Sequence, residues 1–192
     1  NARRGKSDRE YELEDTGAFD HGYWDVFVEY AKASPDDVLV KIRIVNRGPA
    51  AATLHVLPQL WLRNTWAWGR TGEGYDPKGS LARDGAGVRV EQPTLGKMHF
   101  DAEGAEEWLF TENESHCEKL WGTASASPYV KDAFHRRVVA GEGGAVNPAE
   151  TGTKCAAWYA LSVPAGGERV VCCRLAASAS ATPFADFDEV FA

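Results

Sequence analysis

The 192-residue chain is short of several things. Its four cysteines are Cys117, Cys155, Cys172 and Cys173, and none stands in a CxxC pair. Of the five histidines, only His116 lies beside a cysteine. That spacing argues against a metal site, so neither a metal nor a cofactor is expected. Basic charge is short as well: 21 Lys and Arg stand against 28 Asp and Glu, a net charge of −7. A phosphate backbone wants a basic stripe, so nucleic acid is not an expected partner. No apolar run approaches the roughly 18 residues that suggest a membrane span. The opening NARRGKSDREYE has no apolar stretch of the signal-peptide kind, and Asn1-Ala2 reads as an expression remnant. The expectation is therefore a cytoplasmic protein with reduced thiols and no membrane partner. Neither a GxSxG elbow nor a P-loop occurs, and no internal repeat is visible.

What is present is an ordinary globular composition, 44% hydrophobic and 26% charged, with an excess of aromatics at 11% and seven tryptophans. A chain of this length makes one large domain or two small ones. Folding at this size buries roughly 70% of the unfolded surface, so a core needs no staples. Indole faces suit sugar C–H surfaces, and they also fill sandwich cores.

The chain reads mostly as short strands. After a polar start at Arg3 to Arg9, Tyr11 and Leu13 alternate with Glu10, Glu12 and Glu14 as a short strand, and Asp15-Thr16-Gly17 turns. Tyr23 to Ala33 places Trp24, Val26, Val28 and Tyr30 on one face and Asp25, Phe27 and Glu29 on the other. Ser34-Pro35-Asp36-Asp37 is turn chemistry. Val38 to Ile44 alternates again, Asn46-Arg47-Gly48-Pro49 breaks it, and Ala52 to Leu62 follows with Pro58 as a bulge or edge mark. Arg70 to Gly87 reads as a long Gly-rich loop. Val88–Glu91, Lys97–Ala102 and Glu107–Thr111 are short strands. Ser127 and Pro128 suit the start of a short helix reaching His135, with Asp132 and His135 on one face. Gly141 to Thr153 is a second Gly-rich connection, and Cys155–Val163 with Arg169–Leu175 reads as a hairpin about Pro164-Ala165-Gly166-Gly167. Ala176 to Ala181 has linker composition. Thr182-Pro183 then opens a helix carrying Phe184, Phe187, Val190 and Phe191, which expects more protein beyond Ala192.

About ten short strands with little helix indicate an all-β antiparallel sandwich, supersandwich-like, with one short helix and a truncated C-terminal one. The expected division is a sandwich over residues 1–176, then a linker and helix start over 177–192.

The stretch around which the chain is organised is VNRGPAAATLHVLPQLWLRNTWAWG, residues 45–69. It resembles the β-domain of bacterial glucosidases of glycoside hydrolase family 63, the mannosyl-oligosaccharide glucosidase-like enzymes. YWDVFVEYAKASPDDVLVKI, LFTENES, ASPYVKDAFH, VNPAETGTKCAAWYALSVPAGG and PFADFDEVFA resemble the same family, in order, over nearly the whole chain. The resemblance implies a non-catalytic sandwich that packs on an (α/α)6 barrel of the same polypeptide. It also implies that the catalytic acid and base lie in that barrel, beyond residue 192.

Candidate site residues concentrate in two places. Trp61, Arg63, Asn64, Trp66 and Trp68 fall within eight residues. If that loop is extended, Trp66 and Trp68 share a face as an apolar wall, and Arg63 and Asn64 offer donors to sugar hydroxyls. Alternatively the indoles bury against the barrel and Arg63 pairs with a carboxylate. Glu112 and Glu114 in TENES share a face at about 6.7 Å if extended. An inverting glycosidase needs its two carboxyls roughly 6.5–9.5 Å apart on opposite sides of the sugar, which one strand does not supply. A solvated strand end is the other reading. His55 reads as a satisfied strand histidine. No catalytic residue is expected within the chain. Two further functions stay open: an autonomous carbohydrate-binding module using Trp61 to Trp68, and a structural domain forming a homo-oligomer through Phe184, Phe187 and Phe191.

Overall fold

The structure, a computed structural model, describes residues 5–192. Residues 1–4, with the loose start and the remnant expected there, lie outside the described residues. Among the described residues, eleven strands form two antiparallel sheets. They are β1 (Trp24–Ser34), β2 (Asp37–Asn46), β3 (Ala52–Val56), β4 (Gln59–Trp61), β5 (Ser80–Asp84), β6 (Gly87–Gln92), β7 (Gly96–Ala102), β8 (Glu107–Thr111), β9 (Thr151–Gly152), β10 (Lys154–Val163) and β11 (Glu168–Ala176). The larger sheet has the order β1-β2-β11-β7-β6-β5-β9. In the smaller sheet β10 is central. It pairs with β3 and β4 on one side and with β8 on the other.

The core lies between the sheets. Ile42, Ile44, Val88, Val90, Phe100 and Val171 from the larger sheet meet Trp108, Phe110, Cys155, Ala157 and Tyr159 from the smaller one. Each Val, Ile or Phe among them contributes about 1.5–3 kcal/mol on full burial. Period-2 alternation explains which residues these are. Cys173 points into the core while its neighbour Cys172 points outward, as alternation requires. All four cysteines are unpaired.

Each sheet is also covered on its outer face. Helix α2 (Ala133–Val139) lays Ala133 and Phe134 on Leu109 and Ala156 of the smaller sheet, with Ala145 and Val146 beside them. Helix α3 (Phe187–Phe191) lies over the outer face of β1 and β2, where Lys41 Nζ is 4.2 Å from the Phe191 ring centre. Phe187 is buried there. Arg174 fastens the segment that leads into α3: it donates to both oxygens of Asp37, to both of Asp186 and to the Pro183 carbonyl. Residues 177–192 thus return onto the sandwich.

The all-β antiparallel architecture is the one the strand pattern predicts. Pro58 splits β3 from β4 as its missing N–H demands, and its carbonyl still accepts from Ala157 N at 3.0 Å. Several local expectations differ. The Tyr11–Leu13 strand is instead a 3-10 turn, Leu13–Thr16. Glu12 N donates to Asp15 and the Thr16 hydroxyl to Leu13 O, and these local bonds outcompete a strand that has no neighbour. The expected hairpin of β10 and β11 is an arch: β10 belongs to the smaller sheet and β11 to the larger. The Arg70–Gly87 loop contains β5, whose alternation is masked by charge. The Ser127–His135 helix begins only at Ala133, after Asp132. The C-terminal helix begins at Phe187 rather than at Pro183. A further short helix, α1 (Cys117–Trp121), follows β8.

Both arches meet at one residue. Asn46, buried at the end of β2, donates to Ala50 O at 2.9 Å and to Val163 O at 3.0 Å, and accepts from Gly48 N at 2.8 Å. Its backbone N–H donates to Gly167 O and its carbonyl accepts from Gly166 N. One side chain therefore ties the β2–β3 arch to the β10–β11 arch.

Candidate functional site

The two groups of sequence candidates lie 40 or more positions apart, and the sheet register brings them together. Lys154, the first residue of β10, stands opposite Trp61 of β4 on one side and Thr111 of β8 on the other. The loop after β4 and the segment after β8 therefore leave the same end of the sandwich. They are laced to each other: Asn113 Nδ2 donates to Leu62 O at 2.9 Å, and Asn64 Nδ2 donates to Asn113 O at 3.0 Å. Trp66 Nε1 donates to Glu114 Oε1 at 3.3 Å.

The indoles do not form a continuous wall. Residues Trp66–Trp68 make a 3-10 turn closed by Gly69 at φ 62°, a left-handed conformation that favours glycine. In a 3-10 turn, positions two apart do not share a face as they would in a strand. Trp66 accordingly turns inward to Glu114, and Trp68 turns out toward Tyr75 at 6.0 Å between ring centres. Arg70 bonds the Tyr75 hydroxyl at 3.0 Å and stiffens that outer pair. Trp61 and Trp68 are each 56% exposed. The Arg63 side chain is exposed and, among the described residues, pairs with no carboxylate.

The two glutamates take different partners. Glu112 accepts the Thr153 hydroxyl at 2.7 Å and Lys78 Nζ at 3.1 Å. Glu114 is occupied by the Trp66 indole. Each carboxylate is thus engaged in a contact within the fold.

Two residues that the sequence did not single out organise this end. Thr153 is buried. Its hydroxyl accepts Asn113 N at 2.8 Å while donating to Glu112, its N–H reaches Thr111 O at 3.0 Å, and its carbonyl accepts Leu62 N at 2.9 Å. One threonine thus joins both loops to the sheet. The second is His116: its Nδ1 is 3.0 Å from Asp132 Oδ2, and Lys119 Nζ is 3.8 Å from the same oxygen. Burial pushes the Asp132 carboxyl up, but the His116 hydrogen bond and the charges of His116, Lys119 and Arg136 outweigh it. The net position is below the usual carboxylate range. Lys154 is depressed by its burial and then by Lys131. His55 is satisfied on its strand, accepting from Trp158 Nε1 at 3.1 Å.

A shallow groove of about 310 Å³ lies beside this end, lined by Lys78, Ser80, Glu91, Gln92 and Lys97 among others. Among the described residues, no cluster of three or more His, Cys, Asp or Glu side chains is arranged to hold a metal. No helix among them is long and apolar enough to cross a membrane.

Comparison with known proteins gives one informative match. No protein-family model and no solved structure matches the chain. The chain is similar to the uncharacterized protein YMR196W of Saccharomyces cerevisiae, 33% identical over 202 residues. The match covers 86% of this chain and 18% of that protein. The chain therefore spans less than a fifth of the relative's length.

Proposed function

We infer that the chain is a non-catalytic β-sandwich domain of a family 63-like glucosidase, seated on an (α/α)6 catalytic barrel of the same cytoplasmic polypeptide. The observation that carries this reading is the end of the sandwich where Trp61, Trp68 and Arg63 stand exposed while Glu112 and Glu114 are committed to internal bonds. Such a surface can contact a neighbouring domain or the rim of a sugar pocket, and it holds no free acid–base pair of its own. A relative more than five times as long fits a domain role. The acid and base of the parent enzyme then lie outside these residues.

The test is an assay of the purified chain against α-glucosides. The expected result is no glucose released above the uncatalysed rate. Release that disappears in Glu112→Gln would sink the reading. The exposure of Trp61 and Trp68 also supports a second reading, a carbohydrate-binding module. Titration with glucosides and mannosides, followed by tryptophan fluorescence in wild type and Trp68→Ala, separates the two. A saturable change lost in Trp68→Ala favours the module, and a flat response at millimolar sugar favours the domain.

A further inference from the structure

The edges of the two sheets are treated differently. The larger sheet ends at one side in β9, which is two residues long. The smaller sheet ends in β3 and β4, broken by Pro58, and in β8, which is five residues long. Short, interrupted edges are how proteins avoid pairing with other chains. The remaining edge is β1. It is eleven residues long, contains no proline and carries a single lysine. Its register with β2 is regular from Trp24 to Lys32 and slips only between Lys32 and Ser34.

This edge is also apolar. Val26, Val28 and Tyr30 stand opposite Ile44, Ile42 and Val40, and so point toward the core side of the sheet. The smaller sheet does not reach over them: they are 52%, 46% and 72% exposed. An uncovered apolar row beside a row of unpaired backbone N–H and C=O groups is a template for another strand.

We propose that β1 pairs antiparallel with β1 of a second copy of this chain, about a two-fold axis at Val28, to give one continuous sheet across two protomers. Residues opposed across an antiparallel pair must share a face. That allows the axis at only a few positions along β1. An axis at Phe27 sets Asp25 of one protomer against Glu29 of its partner, and an axis at Glu29 sets that carboxylate against itself. An axis at Tyr30 runs the pairing into the irregular Lys32–Ser34 end and lays Lys32 on Val28. An axis at Val28 uses only the regular residues 24–32 and opposes no like charges. Val28 meets Val28, Val26 meets Tyr30, and Trp24 meets Lys32, where an ammonium can lie on an indole face. Asp25 stays with Arg47, which it already holds at 2.7 Å.

The measurement is the mass of the 192-residue chain by light scattering across a range of micromolar concentrations. The expected mass is twice 21.0 kDa. Val28→Lys returns it to that of one chain. Val28 is half exposed, so this variant keeps its fold, which circular dichroism checks. Val28→Cys forms an intermolecular disulfide under mild oxidation, because the axis sets the residue against itself. Val26→Cys does not, because it faces Tyr30. Trp121→Ala, in helix α1 after β8 and away from the β1 edge, leaves the dimer intact. A single-chain mass at every concentration overturns the proposal. So does a dimer that survives Val28→Lys, or cross-linking through position 26 in preference to 28.

Discussion

At one end of β10, Val163 gives its carbonyl to Asn46; at the other, Lys154 stands between Trp61 and Thr111. The ten residues of β10 separate these ends by roughly 30 Å. At the Asn46 end, a buried amide spends its hydrogen bonds on backbone groups of two arches. Nothing is left over to meet a ligand. At the Lys154 end the polar groups also interlock, through Thr153, Asn64 and Asn113, but large apolar and cationic side chains remain outside the network. A polar residue fully used inside the fold specifies its geometry. Side chains left exposed above such a network are the ones available to a partner. The rim at Lys154 therefore keeps side chains outside its network, and the Asn46 end is architecture.

Breaking the Asn46 end has the largest expected effect. Asn46→Ala leaves Val163 O, Ala50 O and Gly48 N without their side-chain partner. A buried group left unsatisfied costs about 1–3 kcal/mol, and water can reach part of this set. The expected loss is about 2–3 kcal/mol, a large part of a domain's net stability of roughly 5–15 kcal/mol. Urea denaturation checks it: the midpoint falls while the slope stays constant. A shift no larger than that of an exposed substitution would mean the arches hold without the amide.

Breaking the other end costs less. Thr153→Val keeps the volume and removes the hydroxyl that accepts Asn113 N and donates to Glu112. Lys78 still neutralises Glu112, and the segment is nearer to water. The expected cost is about 1–2 kcal/mol. The sharper readout is amide exchange at Asn113, which rises in the variant while exchange at Gly166 and Gly167 stays at the wild-type rate. Equal acceleration at both ends would mean that they unfold as one unit and that the contrast between them is not energetic.

Much of the sheet was legible in the sequence, because strand alternation is local. Val88–Glu91, Lys97–Ala102 and Glu107–Thr111 fall inside strands that the structure contains. Which strands pair was not legible. Pro164 to Gly167 looks like a hairpin turn, and only the capture of Gly166 and Gly167 by Asn46, more than a hundred positions away, makes it an arch. β1 shows the same limit from the other side. Its alternation predicts a half-buried strand, while its exposure is set by how far the second sheet extends. At the candidate site, residue types identified Trp61, Arg63, Asn64, Trp66, Trp68, Glu112 and Glu114, and the register brings their two loops together. Trp66 and Trp68 do not share a face, because a 3-10 turn and not an extended loop carries them. Thr153 and His116 gave no signal, since a threonine and a histidine in polar segments are ordinary until their partners are known.

The smallest effect distinguishes the ends by acid. Asp132 is held below the ordinary carboxylate value despite its burial, by His116 and by the charges of Lys119 and Arg136. A depressed carboxyl contributes stability that is fully present above the unfolded value of about 3.9 and is lost as pH falls through the lower folded value. The contact is partly solvated, so its contribution is under about 1 kcal/mol. The arch at Asn46 contains no titratable side chain among its hydrogen-bonding partners. Acidification through the carboxylate range should therefore loosen the 116–132 segment first, seen as faster exchange at Lys131 and Ala133 with Gly166 unaffected. Asp132→Asn should show the loosened state already at neutral pH, with a flatter acid response. If wild type and Asp132→Asn keep a constant stability difference from pH 6 to pH 3, His116 and Asp132 are neighbours without being a stabilising pair. The rim would then owe its order to Thr153 alone.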